Sequence, residues 1–271
     1  MREGSRREGK PTTENVCIEI EVSGIASGKE WKCGLEFDYA NEESFYCRPL
    51  RIGNGKEGRR VPVTDEAACQ RIVYLPPMSG LADREFVKQA GEISVLIGQG
   101  QTAQVLRNLC YNLYISEKGK WEELVMKMES LFGVKLQFPK LAPARSEISL
   151  SYRDPDGEEL DVSYSGRGLQ QALLLLVYLY GNPGSVLLLD EPDAHLEILR
   201  QRQIFNLLTD VAGVQGSQII AASHSEVVLN EAASRGKVVA FVGRPHTIND
   251  RGSQVLKALT EIGFDQYFLA E

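Results

Sequence analysis

Gly184 to Leu196 reads GSVLLLDEPDAHL, and the fold turns on how this stretch is read. Val186 to Leu189 is a continuous apolar run with no polar alternation, the pattern of a strand buried on both faces of a parallel sheet. So short a run also fits a buried helical segment. Asp190 and Glu191 follow at once, and Pro192 then disfavours further ladder pairing. A core strand ending in Asp-Glu sets two anions at the carboxyl edge of a sheet, where open α/β folds bind their ligands. There Asp190 can hold Mg²⁺ through water, and Glu191 can orient or deprotonate a water that attacks a phosphate. Taken alone, the pair also reads as a strand that ends in a solvated acidic turn.

The segments on either side narrow the choice. Upstream, Tyr164-Ser-Gly-Arg-Gly-Leu-Gln-Gln171 opens a helix expected over about 169–179 that is apolar nearly all round, hence buried. A small Gly-rich turn at a helix N-terminus presents free N–H groups and the positive end of the dipole to an anion. Downstream, an amphipathic helix is expected over about 195–211, then a short buried strand over 218–223. His224 ends that strand, within reach of a terminal phosphate at the same sheet edge. A helix over about 225–234 and a strand over 237–242 complete a strand–helix alternation that implies a parallel sheet covered by helices. Singly, the turn is a helix cap and His224 a surface histidine; the three segments in this order form a set.

Towards the N-terminus the periodicity changes. Cys17 to Val22, Trp31 to Tyr39 and Ser44 to Ile52 alternate with period two, an antiparallel meander. Residues 71–75 form a short apolar strand stopped by Pro76-Pro77. Residues 82–133 carry helical spacing (Val105, Leu109, Leu113; Trp121, Leu124, Met128), with Gly98 and Gly100 marking a turn. Residues 148–152 and 160–164 flank Asp154-Pro155-Asp156-Gly157, a hairpin turn. Residues 1–14, Gly-rich and charged, read as a disordered tail.

Composition sets the outer bounds. With 43% hydrophobic and 25% charged residues, the 271-residue chain can build a sizeable core. Its longest apolar run, 172–180, is too short to span a bilayer, and no apolar signal core opens the chain. Five cysteines without CxxC spacing, far from the three histidines, suit reduced thiols in the cytoplasm. A net charge of −7 excludes an extensive basic coat for nucleic acid. The clusters Arg2, Arg6, Arg7, Lys10 and Lys56, Arg59, Arg60 remain as solvated tail and loop or as local DNA contacts.

Together these segments resemble an ATPase of the ABC superfamily, in the branch containing SMC, RecF-like and overcoming-lysogenisation-defect (OLD) proteins. The family's signature turn, LLLDEP strand, D-loop and switch histidine correspond to Ser165–Gln171, Val186–Pro192, Asp193–Leu196 and Ser223–Ser225. Tyr74-Leu-Pro-Pro-Met-Ser-Gly80 and Leu96-Ile-Gly-Gln-Gly-Gln-Thr102 extend a weaker likeness back to about residue 70. The resemblance implies an α/β P-loop NTPase fold (ABC ATPase-like), a parallel sheet flanked by helices, with an antiparallel meander and a helical insertion. It implies one domain over 15–271: a β lobe (15–80), the insertion (81–145) and a signature–switch lobe (146–271). Its implied cofactors are ATP and Mg²⁺, with Glu191 and His224 catalytic and Asp190 at the metal. Ser165, Gly166, Arg167, Gly168, Gln170 and Asp193 would contact nucleotide. ATP would be sandwiched in a homodimer, or in a dimer with a polypeptide that contains a phosphate loop, with DNA as a further implied partner and no membrane.

Two departures qualify the likeness. Relatives usually carry serine just before the last signature glycine; here Arg167 stands there and Ser165 lies earlier, so neither is assigned the γ-phosphate contact. No GxxxxGK[ST] phosphate loop occurs, because Gly24-Ile-Ala-Ser-Gly-Lys-Glu is one residue short and has Glu30 where Ser or Thr is needed. The chain therefore reads as an ATPase core without its first strand and phosphate loop, stopping about where OLD proteins pass into a Toprim domain. A non-catalytic interaction subunit with the same fold is the second reading, and a transporter nucleotide-binding domain a weaker third.

Overall fold

Gly4–Arg7 (β1) pairs antiparallel with Lys10–Thr13 (β2), where composition suggested a disordered tail. Ladder pairing uses backbone groups alone, so the lack of apolar residues does not forbid it. The computed structural model describes residues 4–7, 10–13, 16–26, 28–41, 44–52, 59–241 and 245–248. The chain divides between Arg71 and Ile72 into two compact units.

In the first unit the period-two stretches become Val16–Ala26 (β3), Lys29–Asn41 (β4) and Ser44–Pro49 (β5), an antiparallel meander in the order β3-β4-β5. Directly paired residues share a face. One face carries Ile18, Phe37 and Cys47, the other Glu19, Glu36 and Arg48. Arg51–Ile52 (β6) pairs with Arg59–Arg60 (β7), and Arg60 reaches Glu36 at 3.6 Å. Asp65–Ala68 (α1) is capped by the Thr64 hydroxyl. Gly24 pairs with Trp31, and a Cβ there would lie 2.5 Å from the indole, so only glycine fits. The Gly24–Lys29 segment, discounted as a phosphate loop, is the end of β3 and a hairpin turn through Gly28 (φ 77°).

The second unit begins with Ile72–Leu75 (β8), which the sequence had grouped with the meander. Its apolar residues pair elsewhere, as described below. After Glu85–Phe86 (β9) come Ala90–Gly98 (α2), Leu106–Ser116 (α3) and Lys118–Phe132 (α4), the helical insertion that the spacing predicts. Gly133 ends α4 with φ 70°, the left-handed cap that glycine adopts without a Cβ penalty. Lys135–Leu136 (β10), Lys140–Ala142 (β11), Glu147–Ser149 (β12), Ser151–Arg153 (β13) and Glu159–Asp161 (β14) follow. The hairpin expected between 148–152 and 160–164 is divided by Leu150: β12 joins β11 and β9, while β13 joins β14 and β10. The turn itself is as expected, with Glu158 N–H donating to Asp154 Oδ1 at 2.9 Å.

Arg167–Gly181 (α5) is buried at every position from Leu169 to Tyr180, because it packs against α3, α4 and the next long helix at once. Val186–Asp190 (β15) is the strand read from the sequence. Ile198–Gln215 (α6) starts later than expected, since residues 193–196 form a tight loop with His195 at φ 63°. Gln218–Ala222 (β16) and Glu226–Arg235 (α7) follow. The parallel sheet has the order β16-β15-β8, with Leu188 opposite Ile220 on one side and Tyr74 on the other. Val238–Ala240 (β17) departs from expectation. It pairs antiparallel with His246–Ile248 (β18) and does not join the parallel sheet among the described residues. The remainder of the expected strand, residue 242, lies outside the described residues.

Candidate functional site at the carboxyl edge of the parallel sheet

β15 and β16 run in register, so Asp190 lies opposite Ala222, and both strands deliver their next residues to one edge. Glu191 N–H donates to the Ala222 carbonyl at 2.8 Å, which carries the ladder one residue past the strand. This places Glu191 Oε1 3.4 Å from His224 Nδ1; the two side chains are 46% and 77% exposed, open to a ligand. Glu191 has φ 44° and His195 φ 63°, in the left-handed region that costs a non-glycine residue of order 1 kcal/mol or more. Such outliers persist where surrounding contacts enforce them, and here they bracket the loop between β15 and α6.

Asp190 meets a residue that sequence reading missed. Tyr74 OH donates to Asp190 Oδ2 at 3.4 Å, and Tyr178 OH donates to the Tyr74 carbonyl at 3.0 Å. Burial first, then the Asp190 charge and hydrogen bond, push the Tyr74 phenol above its usual range, so it stays a neutral donor. Only the parallel register of β8 with β15 brings these residues together across 116 positions.

Two residues expected at the nucleotide hydrogen-bond within the scaffold. Asp193 is 8% exposed, and its Oδ1 accepts from Ser223 Oγ, tying the loop after β15 to the segment that carries His224 past the end of β16. Gln170 is 4% exposed, and its amide donates to the carbonyls of Val162 (3.2 Å) and Ser165 (3.1 Å). Burial and polar satisfaction go together at both positions. Gln171 plays a related part: its carbonyl accepts from Met78 N–H at 2.9 Å and its amide reaches Pro192 O at 3.5 Å.

The Gly-rich turn is well defined. Residues 162–164 form a short 3-10 turn capped by Asp161; Ser165 donates its hydroxyl to Val162 O at 2.7 Å, and Gly166 caps α5. Gly166 and Arg167 are exposed, whereas Ser165 is half-buried with its hydroxyl proton committed inward. Gly168 is in close contact with the loop after β15: a Cβ there would lie 3.1 Å from the His195 carbonyl and 3.6 Å from Leu196. The turn therefore abuts His195 and Leu196, beyond Glu191.

Behind the turn lies a buried network that the sequence did not disclose. Arg107, 1% exposed, donates to Asp161 Oδ1 and to the Ala82 carbonyl, each at 2.7 Å. Asp161 Oδ1 also accepts from the Ser163 N–H and hydroxyl. Burial alone would raise the Asp161 carboxyl; the bonds from Ser163 and Arg107 outweigh it and hold the group below its usual value. Glu85 accepts from the N–H groups of Arg107 and Asn108 at the start of α3, and burial pushes its carboxyl upward.

Residues 122–230 match the family described as "AAA domain, putative AbiEii toxin, Type IV TA system". The matched stretch runs from α4 into α7 and contains the turn, the Asp190–Glu191 edge and His224. No curated protein matches the chain. Among solved structures, the SMC head domain from Thermotoga maritima is 18% identical, with 85% of this chain and 73% of that one covered and a TM-score of 0.46. An Smc head domain of Pyrococcus furiosus bound to the C-terminal domain of ScpA is 13% identical, covering 95% and 82%, TM-score 0.45. A structure from work on ATP-driven dimerization and DNA-stimulated activation of SMC ATPases is 15% identical, covering 58% and 97%, TM-score 0.44. The architecture is α/β, a parallel sheet flanked by helices, with an antiparallel meander and a helical segment.

Mg²⁺ is commonly held by one or two carboxylates together with phosphate oxygens and water, and Asp190 at an open strand end fits that use. Among the described residues no group of three or more His, Cys, Asp or Glu could hold a metal by itself. Nor is any described helix long and apolar enough to cross a membrane.

Proposed function

We propose that this chain is the ATP-handling core, or part of one, of an OLD-like ABC-type ATPase, with ATP sandwiched between two subunits. The observation that carries the proposal is the meeting of Glu191 and His224 at 3.4 Å, beside Asp190, at the carboxyl edge of the parallel sheet. Glu191 serves as the base or orienting group for the attacking water, and His224 as a hydrogen-bond partner of the terminal phosphate. Asp190, steadied by Tyr74, takes part in holding Mg²⁺, whose bound charge would offset the carboxylates facing the nucleotide. Gly166, Arg167 and Gly168, at the N-terminus of α5, present the anion-attracting end of a helix to the nucleotide of the second subunit. A cytoplasmic setting in DNA repair or phage defence follows from the OLD resemblance, and the toxin–antitoxin wording of the matched family is in keeping with it.

The phosphate cradle, a ring of backbone N–H groups and a lysine, has no motif in this sequence. The chain by itself should therefore bind Mg-ATP weakly or not at all. The same observation favours the second reading, a non-catalytic subunit that dimerises with a complete partner. Turnover measured with a phosphate-loop polypeptide supplied decides between them. Replacing Glu191 by Gln keeps the shape and removes the base, and should lower turnover by roughly 10²–10⁴-fold. Undiminished turnover would remove Glu191 from its role, and no turnover in the unmodified pair would favour the non-catalytic subunit.

A further inference from the structure

β16 presents an open side. Gln218 N–H donates to the Ser185 carbonyl and Ala222 O accepts from Glu191, so the even-numbered residues of this strand turn their backbone groups toward β15. By strand alternation Ile219 and Ala221 turn theirs the opposite way. Among the described residues β16 pairs with β15 alone. The groove on that side has a volume of about 360 Å³; Ile219 and Ala221 line one wall, Val238 and Val239 of β17 the other, and Val228 and Ala232 of α7 contribute to its lining. The order β16–α7–β17 is a strand–helix–strand unit, which normally returns its second strand to the same sheet. Here that strand stands apart, across a groove whose apolar lining is interrupted by Thr209 of α6 and by Ser217, Ser223, Ser225, Arg235 and Lys237.

The two ends of the groove differ in charge. α7 begins at the carboxyl end of β16, and its rise of about 15 Å brings the chain back to the other end. Arg235 and Lys237 lie there; Arg235 is paired with Asp210, while Lys237 has no ion pair among those described. The carboxyl end is lined by Ser223 and Ser225, with no charged residue.

We propose that this groove receives an extended apolar strand of a second polypeptide, acidic where it enters beside Lys237 and uncharged where it leaves beside Ser223 and Ser225. The strand adds to the sheet through the N–H and C=O groups of Ile219 and Ala221, the mode of β-augmentation. The occupant so described deepens the partner reading above and rests on it only for what the strand carries to the edge, a phosphate-binding loop.

The test needs no nucleotide. A blocked peptide, Glu-Val-Ile-Val-Val-Gly, is titrated into the full chain while amide exchange of Ile219 and Ala221 is followed by NMR. Binding should slow exchange at both amides at least tenfold, and a peptide N-methylated throughout its apolar run should not bind. Ala221→Pro removes one groove-facing donor, a change edge strands tolerate, and should weaken binding about fivefold or more. No slowing with millimolar peptide, or equal binding of the methylated peptide, would overturn the proposal. So would protection of both amides before peptide is added, because the groove would then be filled by the chain itself. Peptide binding without turnover in the reconstituted pair would sink the ATPase reading alone, and turnover without strand binding would sink this inference alone.

Discussion

Replacing Arg107 by Met removes a charge that is 1% exposed while keeping most of the buried volume. Two bonds are lost, to Asp161 Oδ1 and to Ala82 O, both at 2.7 Å. Breaking a fully buried ion pair costs about 3–5 kcal/mol, because the surviving charge is left without compensation. Asp161 is 34% exposed and keeps both bonds from Ser163, and Ala82 is itself half-exposed, so water relieves part of the loss. The expected destabilisation is therefore about 2–3 kcal/mol, with charge-assisted bonds worth about 1.5–3 kcal/mol each as the guide. Urea unfolding followed by Trp121, which is 3% exposed, reports on this unit once Trp31 is replaced by Phe. With a slope of about 2–3 kcal/mol/M the midpoint should fall by roughly 1 M. A cycle with Asp161→Ala should show coupling of about 1–2 kcal/mol. A midpoint shift below about 0.3 M, or additive single changes, would refute a structural role for the pair.

Acid should act on the same group in a defined direction. The Asp161 carboxyl lies below its usual 3.8 in the folded chain, so the stability it contributes is complete above that value and lost as pH falls through the folded pKa. The stability difference between the unmodified chain and Asp161→Asn should be level near neutrality and shrink below about pH 4; a difference that widens in acid would contradict the assignment. At the Gly-rich turn, Gly168→Glu places an anion where a second subunit's phosphates are proposed to lie, and should abolish ATP-dependent dimers of the reconstituted protein in sedimentation. Gly168→Ala is the control for the 3.1 Å approach to His195, and equal dimerisation of the Glu variant would refute the proposed facing surfaces.

Much of the architecture was legible in one dimension because local patterns sufficed. The all-round apolar character of 169–179 needs packing on several sides, and α5 is buried throughout that stretch; the uninterrupted run at 186–189, expected to be buried on both faces, instead buries Leu187 and Leu189 and leaves Val186 and Leu188 partly exposed. Period two over 16–52 and helical spacing over 82–133 likewise specified element type without reference to partners. Boundaries were less legible. The strand expected over 148–152 splits at Leu150, because β12 joins β11 and β9 while β13 keeps the hairpin with β14, a choice made by pairing and not by propensity.

The candidate site divides in the same way. The sequence by itself determined which residues reach the sheet edge, since Asp190 ends β15, Glu191 follows it, and His224 comes just after β16. Tertiary structure alone decided what surrounds them. Tyr74 meets Asp190 only through the register of β8, Asp193 and Gln170 are turned inward, and Arg107 sits beneath the Gly-rich turn from far along the chain. The separation of β17 from β16, and hence the groove, was equally invisible. The physical reason is common to all four: strand order and burial of polar groups are fixed by contacts between distant segments, while periodicity reports only the face a segment must hide.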